Sequence, residues 1–213
     1  MASSVIGAQL YTLRDFLKTP KDIRSTLARV SEMGYETVQT SGLGPIDAAE
    51  LRGVADEHQL KIVATHVGYA DIKDEPQKVI DQHQTWGCRH VGIGGMPGDY
   101  RSEDGFHRFA VDASEAARAL IDAGLTFSYH NHSFELESFG CKTGLEILAD
   151  ESDPETFSFE VDTYWIQHGG GNPVTWLQRL KDRMHIVHFK DMAMQGSEQL
   201  FAEVGEGNLE WLP

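Results

Sequence analysis

A unit of one strand followed by one helix repeats along the whole of this 213-residue chain, at a spacing of roughly 25 to 35 residues. The predicted strands are short apolar or alternating runs, and the predicted helices carry apolar residues at every third or fourth position. Strands that alternate with helices pair in parallel, and right-handed crossovers wind the sheet in one direction. The repeat therefore restricts the chain to a parallel α/β fold, either a closed barrel or an open doubly wound sheet.

The bounds of the repeat follow from apolar periodicity and from the Gly and Pro residues that end or start the elements. Strands are predicted at residues 5–10, 35–40, 61–67, 90–94, 125–130, 157–162 and 184–190. Helices are predicted at residues 20–33, 47–59, 76–86, 104–123, 143–150 and 173–183. No GxGxxG motif follows the first strand, and polar residues end nearly every strand instead of marking one switch point. We therefore predict a (β/α)8 TIM-type barrel that forms a single domain over residues 1–213.

The number of predicted strands is one short of such a barrel, which typically needs about 250 residues. The stretch FAEVGEGNLEWLP, which follows the seventh strand, is predicted to start the next helix. An open barrel would expose two unpaired edges, which proteins avoid. We therefore expect the natural polypeptide to continue by roughly 35 to 50 residues, through strand eight and its helix. Closure of the barrel by a strand of a partner chain is the alternative.

The charge of the chain narrows the classes of partner. The formal net charge is −15 at pH 7, and a chain so acidic repels phosphate backbones and anionic lipid surfaces. No apolar run approaches the length of a membrane span, and the N-terminus lacks a basic region followed by a long apolar core. We expect a cytoplasmic protein with no nucleic-acid or membrane partner. A small molecule is the expected ligand, and the chain is compatible with a homo-oligomer.

The stretch 157–191 places polar side chains at the carboxyl ends of two neighbouring predicted strands. Glu160 and Asp162 alternate with apolar residues on the first strand, and His188 and Lys190 share one face of the second. In parallel α/β folds this edge of the sheet binds ligands. Asp162 and His188 are predicted to hold a divalent metal, with a buried pair that only orders the loops as the alternative.

The segment YHNHSFE, residues 129–135, gathers two imidazoles, an amide and a carboxylate at the end of the fifth strand. Such groups are costly to bury without a ligand, so the segment indicates a metal or substrate site, or else a hydrogen-bonded loop cluster. Together with the carboxylate and imidazole of the next two strands, His130, His132 and Glu135 offer mixed oxygen and nitrogen donors. Such donors suit Mn, Mg, Co or Zn, and the sequence does not choose among these metals.

Further polar residues near the strand ends are candidates for acid–base chemistry or substrate binding. His66 ends the third strand and is predicted to act as an acid or base, with a structural core histidine as the alternative. Lys190 is predicted to polarise a carbonyl or to pair with Glu160 or Asp162. Trp165 is predicted to form an apolar wall against a sugar ring, or to pack in the core. The residues assigned to substrate binding are Gln9, Tyr11, His130, Asn131, Trp165 and Glu206.

Four motifs, YHNHSFE, EVDTYW, HFKDM and FAEVGEGNLEW, together closely resemble the sugar phosphate isomerase/epimerase family with a xylose-isomerase-like TIM barrel. That family includes inosose dehydratases and hexulose 3-epimerases, and the resemblance covers essentially the whole chain. It implies a metal held by one residue from each of strands five to eight, usually Glu, Asp, His and Glu. Asp162 and His188 match the middle two. Strand five ends in His130 where many members have Glu, so Glu135 is expected to supply that carboxylate, with His132 or His130 close by.

The resemblance also implies a reaction. We expect a divalent-metal-dependent isomerase or epimerase that acts on a sugar, keto-sugar or cyclitol by proton transfer beside a metal-polarised carbonyl. His66, Glu160 and Lys190 are the expected catalytic residues. A metal-dependent sugar dehydratase or lyase and a non-catalytic sugar-binding barrel subunit are the alternatives. No cluster of Arg marks a phosphate site, which favours an unphosphorylated substrate.

One nuclease shares this fold and is disfavoured here. Endonuclease IV has a histidine three residues after the strand-six Asp, where this chain has Trp165, and it has a later Asp-x-His zinc pair that this sequence lacks. The net charge of −15 also opposes binding to DNA.

Overall fold

The computed structural model describes residues 5–211. The chain falls into two compact units, each described here by itself. Unit one comprises the described residues up to 93 together with residues 119–126, and unit two comprises residues 94–118 together with residues 127–211. The expectation of a single domain stays a prediction.

Unit one contains four parallel strands that pair in chain order. These strands are β1 (Ala8–Gln9), β2 (Thr37–Thr40), β3 (Lys61–Val67) and β4 (His90–Ile93). The helices between them are α1 (Pro20–Glu32), α2 (Ala48–Glu57), α3 (Tyr69–Asp74) and α4 (Pro76–Trp86), and a 3-10 helix spans Leu10–Phe16.

Helix α1 shows why the predicted helices form where they do. Thr19 and Asp22 make a reciprocal capping box around Pro20, which satisfies backbone N–H groups at the helix start. Ile23 and Leu27 are fully buried on the apolar face, so the helix is stabilised by packing as well as by its cap.

The first strand is shorter than the predicted 5–10, because a 3-10 helix starts at Leu10. The side chain of Gln9 accepts the backbone N–H of Tyr11 and so caps this helix. The predicted strand 5–10 was therefore too long, and Tyr11 lies inside the 3-10 helix.

Unit two contains three parallel strands, two hairpins and most of the longest helix. The parallel strands pair in the order β5 (Thr126–His130), β8 (Ser158–Asp162) and β9 (Met184–His188). The hairpins join β6 (Ser138–Phe139) to β7 (Lys142–Thr143), and β10 (Asp191–Gln195) to β11 (Glu198–Ala202). The helices are α5 (Glu103–Asp122), α6 (Gly144–Glu151), α7 (Thr163–His168) and α8 (Pro173–Leu180), with 3-10 turns at Gly98–Tyr100, Phe134–Leu136 and Lys181–Arg183. Helix α5 and strand β5 are each divided between the units.

An aromatic core lies beneath the strands of unit two. The ring of Phe157 lies 5.2 Å from Phe127, 5.9 Å from Tyr129 and 5.2 Å from Phe159, centroid to centroid. Phe109 approaches the same group at 5.7 Å from Tyr129. Edge-to-face and tilted ring pairs at these distances contribute stability beyond that of their buried area. This cluster therefore stabilises the arrangement of the strands in unit two.

The seven parallel strands confirm the strand predictions to within a few residues. The prediction that a helix starts in the stretch from residue 201 was wrong for residues 201–211. Instead of starting a helix, this stretch completes the strand Glu198–Ala202 and then turns, and residues 212–213 lie outside the described range. The reason is Asp191, whose carboxylate accepts the backbone N–H groups of Gly205, Gly207 and Leu209 and so competes with helix formation. Within the described range, no helix combines the length and apolarity that crossing a membrane requires.

Candidate functional site

The register of the three parallel strands in unit two brings polar side chains together at one edge of the sheet. His130 on β5 pairs with Glu160 on β8, and Asp162 at the end of β8 pairs with His188 at the end of β9. Apolar neighbours alternate with these residues and enter the core. The sequence alternation thus delivers two imidazoles and two carboxylates to one face.

Asp162 lies at the centre of this group and is fully buried. Its Oδ2 atom lies 2.6 Å from Lys190 Nζ, 3.2 Å from His130 Nε2 and 3.6 Å from His188 Nδ1. Its Oδ1 atom accepts the backbone N–H of Trp165 at 3.2 Å and so caps helix α7. Burial opposes ionisation, but the two imidazoles and the ammonium outweigh it and hold the pKa of Asp162 far below its usual value.

Glu160 is also fully buried, and its Oε1 atom forms an ion pair with His188 Nε2. Burial lowers the pKa of His188, but the charge of Glu160 and the contacts with Asp162 prevail and raise it to about 9. His188 therefore lies between two carboxylates, with Nε2 toward Glu160 and Nδ1 toward Asp162. The two buried carboxylates thus face the cationic groups of His188 and Lys190.

The donor set fits a divalent metal. His130, Asp162 and His188 each offer one ligand atom, and these atoms all lie within 4.8 Å of one another among buried side chains. A carboxylate oxygen with two imidazole nitrogens is a donor set that Mn, Co and Zn accept. Of the predicted metal ligands, the structure thus brings Asp162 and His188 together, and it adds His130, which the sequence assigned to the substrate.

Glu135 is not brought into this group. It is buried, its Oε1 atom accepts the hydroxyl of Tyr129 at 2.6 Å, and its Oε2 atom accepts the backbone N–H of His132 at 2.9 Å. Tyr129 and His130 are neighbours on a strand and point to opposite faces. A carboxylate bound to Tyr129 is therefore held on the core side of the strand. In the sequence, the alternation along strand β5 already predicts that Tyr129 points into the core. That alternation was the sequence signal for the position of Glu135.

His132 lies beside the cluster instead of within the group of three donors. Its ring centroid lies 4.8 Å from His130 and 5.2 Å from Trp165, and its Nδ1 atom is buried with no hydrogen-bond partner among the described residues. Burial and the nearby His130 lower the pKa of His132 to about 3, so the ring is neutral at physiological pH. Gly95 approaches this ring so closely that a Cβ there would lie 3.2 Å from it.

An aromatic wall borders the cluster and includes a residue that sequence reasoning missed. Phe201, on strand β11, lies with its ring centroid 4.3 Å from Tyr164 and 5.9 Å from Trp165. Lys190 Nζ lies 5.6 Å from the Phe201 ring. Phe201 is 62% exposed, so one face of this large ring is available to a ligand. The β-α repeat does not predict the position of Phe201, because pairing within a hairpin places this residue.

Asn131 and Glu206 were predicted to bind substrate, and these roles stay predictions. Asn131 is buried, and its Oδ1 atom accepts the backbone N–H of Asp162 at 2.9 Å. It therefore fastens the end of β5 to the end of β8. Glu206 is exposed on the turn that Asp191 anchors.

The remaining predicted residues lie in unit one. The Nδ1 atom of His66 lies 3.2 Å from the hydroxyl of Ser41, and the side chain of Gln9 donates to Gln39 at 3.1 Å. Tyr11 is 52% exposed and lies under the guanidinium of Arg14, at 4.6 Å. Their roles in acid–base chemistry and substrate binding stay predictions.

Comparisons with known proteins show which proteins this chain resembles. Residues 27–212 match a family model described as the xylose isomerase-like TIM barrel. An inosose dehydratase of Lacticaseibacillus casei is 28% identical over 100 residues, which cover 46% of this chain and 32% of that protein. An inosose dehydratase of Geobacillus kaustophilus is 25% identical over 199 residues, which cover 78% of this chain and 61% of that protein. The chain thus spans less than two thirds of either relative.

A solved structure shows the same fold. The sugar phosphate isomerase/epimerase from Parabacteroides distasonis superimposes with a TM-score of 0.76 at 24% identity, over 92% of this chain and 82% of that one.

Proposed function

This chain belongs to the xylose isomerase-like TIM barrel family, and from that premise we propose that it is a divalent-metal-dependent isomerase or epimerase. Membership confirms the barrel fold class that the β-α repeat predicts. The proposed substrate is a sugar, keto-sugar or cyclitol. The observation that carries the proposal is the buried convergence of His130, Asp162 and His188 at the carboxyl ends of three parallel strands.

His130, Asp162 and His188 would hold the metal in this proposal. A bound divalent metal would polarise a substrate carbonyl and stabilise the negative charge that develops when the adjacent carbon loses a proton. Glu160 orients one of these ligands: it holds the Nε2 side of His188 and leaves Nδ1 toward Asp162. Carboxylates that fix the ring of a ligating histidine in this way also raise its basicity.

The proton-transfer roles in the proposal fall to Glu160, Lys190 and His66. Glu160 is a buried carboxylate within the cluster, and Lys190 brings an ammonium to the same edge of the sheet. An ammonium there is suited to hold or protonate a substrate oxygen. His66 is proposed as an acid–base group from its place at the end of a strand.

The aromatic wall supports a sugar or cyclitol as the ligand. Trp165 and Phe201 offer apolar ring faces beside the polar cluster, which suits a molecule with hydroxyl groups at its edge and C–H bonds on its faces. Arg101 is committed to the backbone oxygen of Met96 and to the ring of Phe134. This arrangement favours an unphosphorylated substrate.

The test combines metal binding with proton exchange. The purified protein is titrated with Mn²⁺, Co²⁺, Zn²⁺ and Mg²⁺, and unphosphorylated keto-sugars and cyclitol ketones are then incubated with it in D2O. We expect tight binding of at least one metal and incorporation of deuterium beside the carbonyl. Asp162→Asn and His188→Gln should abolish both signals while the far-UV circular dichroism is retained. If the protein binds none of the four metals, the proposal is overturned.

A dehydratase or lyase reaction is the second candidate, because the two relatives described above are inosose dehydratases. Such a reaction shares the first step, proton loss beside a carbonyl, and then expels a group from the neighbouring carbon. Product NMR of the same incubations separates the two. Loss of water or of a glycosidic group indicates the lyase reaction, and an isomeric sugar indicates the isomerase or epimerase reaction.

A further inference from the structure

We propose that Lys190 is a displaceable counter-ion that competes with the divalent metal for one oxygen of Asp162, and so sets the metal affinity of the site. The inference rests on the proposed function in one respect, that the site takes a divalent metal. It adds a residue that acts on metal affinity without being a ligand.

The two oxygens of Asp162 have separate partners. Oδ1 faces the start of helix α7, where it accepts the backbone N–H of Trp165 at 3.2 Å. Oδ2 faces the imidazoles of His130 and His188, and Lys190 Nζ is its nearest neighbour at 2.6 Å. The oxygen that lies among the other ligand atoms is therefore the oxygen that the ammonium contacts.

Two cations cannot share this oxygen at low cost. A metal bound by a carboxylate lies about 2.0 to 2.2 Å from the oxygen. Asp162 is fully buried, and water therefore screens little of the repulsion between a divalent ion and an ammonium at the same atom. Metal binding consequently requires the ammonium of Lys190 to move away, and the energy of that movement is subtracted from the metal affinity.

The structure permits the side chain to move while the backbone stays in place. The hydroxyl of Thr163 accepts the backbone N–H of Lys190 at 3.0 Å and lies 2.8 Å from its carbonyl oxygen. This contact anchors the main chain beside the site. The Lys190 side chain is 31% exposed, and its ammonium lies 5.6 Å from the ring of Phe201. A flexible four-carbon stem can therefore carry the charge outward along the aromatic wall.

The displaced ammonium would stay beside the substrate position. Among the described residues, Asp162 is the one carboxylate within ion-pair distance of Lys190. After displacement the ammonium has left this ion pair and is able to meet a substrate oxygen. One side chain would thus be a counter-ion before metal binding and a substrate contact after it.

Metal titrations of three lysine variants test the inference. Lys190→Met removes the competing charge, Lys190→Arg keeps a charge at the site, and Lys142→Met removes the same charge from an exposed pair with Asp150. Mn²⁺ and Zn²⁺ are titrated by calorimetry at one pH and ionic strength. We expect Lys190→Met to bind these metals about ten- to a hundredfold more tightly, the range over which groups touching metal ligands alter metal affinity. Lys190→Arg and Lys142→Met should bind like the unaltered protein.

A thermal-shift measurement supplies a second readout. Removal of Lys190 leaves the buried carboxylate with less positive charge, so Lys190→Met should melt at a lower temperature in EDTA. Saturating Mn²⁺ should raise its Tm by more than it raises that of the unaltered protein, because stabilisation grows with affinity. If Lys190→Met does not fold in EDTA, Lys190→Gln replaces it in both measurements.

The outcomes separate this inference from the proposed function. If the unaltered protein binds metal, Asp162→Asn does not, and Lys190→Met binds no more tightly than the unaltered protein, the inference is overturned and the metal site stands. If neither the unaltered protein nor Lys190→Met binds Mn²⁺ or Zn²⁺, the inference falls. The proposed function falls with it if the unaltered protein also fails to bind Co²⁺ and Mg²⁺.

Discussion

The buried carboxyl of Glu135 should make the stability of the chain depend on pH. Burial raises its pKa from the ordinary 4.5 to about 7, so the folded state keeps this proton over a range in which the unfolded chain has lost it. The stabilising contribution is complete below pH 4.5 and is lost as the pH rises through 7. Relative to Glu135→Gln, the free energy of unfolding of the unaltered protein should fall by about 3 kcal/mol over that range.

Urea denaturation at intervals between pH 4.5 and pH 8 measures this difference. Glu137→Gln, which changes an exposed carboxylate on the same turn, is the matched control and should run parallel to the unaltered protein. Parallel profiles for Glu135→Gln as well would contradict the prediction.

His66 should contribute to turnover more than to stability. If it acts as an acid or base, His66→Ala should lower kcat about 10²- to 10⁴-fold while the Tm stays close to that of the unaltered protein. His107→Ala, which removes a surface histidine paired with Glu151, controls for the loss of an imidazole. A collapse of the Tm with undiminished specific activity would identify His66 as a structural core residue.

Single residues also show how much of the site the sequence predicts. Asp162 and His188 were predictable because strand alternation and parallel pairing suffice to bring strand ends together. The sequence did not predict whether Glu135 or His130 lies beside Asp162 and His188, because that depends on how the loop turns after the strand. The 3-10 turn returns Glu135 to the hydroxyl of Tyr129, and a spacing of residues does not encode that direction.

At the scale of elements, the turn after strand β11 depends on one carboxylate. Asp191 is buried, and it accepts the backbone N–H groups of Gly205, Gly207 and Leu209 and the indole N–H of Trp211. Burial alone would raise the pKa of Asp191, but these donors hold it well below its usual range. The turn has no helix or strand of its own, and this one carboxylate accepts four of its N–H groups.

Replacement of Asp191 should therefore release this turn. Asp191→Ala leaves several donors without an acceptor and should lower the free energy of unfolding by about 2 to 4 kcal/mol. Limited proteolysis should cut residues 203–211 faster, and the emission of Trp211 should shift to longer wavelength. Trp211→Phe assigns that emission, and Glu206→Gln, on the same turn but exposed, should leave both readouts unchanged. Equal cleavage rates in all variants would contradict the prediction.

The hairpin of β10 and β11 marks the limit of prediction at this scale. The β-α repeat predicted the parallel strands because each one carries its own apolar signal. The hairpin instead depends on cross-strand pairs such as Met192 with Phe201, and on a turn at Gly196, which has a positive φ of 61°. Its strands carry no alternation of buried and exposed residues strong enough to identify them, since β11 is exposed along most of its length.

At the scale of the whole molecule, electrostatic repulsion should limit stability at low salt. Acidic residues outnumber basic ones by 33 to 18, which gives the net charge of −15. Raising KCl shortens the Debye length from about 30 Å at 0.01 M to about 8 Å at 0.15 M, and it should therefore raise the Tm at neutral pH. Differential scanning calorimetry over that range measures the effect at constant buffer composition. A Tm that falls with added KCl would mean that attractive ion pairs outweigh the repulsion.

Asp162 has two structural roles, and both constrain any redesign of this protein. One oxygen caps helix α7 and the other faces the imidazoles. A library that varies this position therefore changes both the start of the helix and the surroundings of the two imidazoles. Asn keeps the length needed for the cap but removes the charge, whereas Glu keeps the charge but overreaches the backbone N–H. Engineering toward a different metal should therefore hold position 162 constant and vary position 130, whose imidazole meets Asp162 from the neighbouring strand. The evolution of new chemistry on this scaffold faces the same restriction, because replacing Asp162 also removes the cap of helix α7.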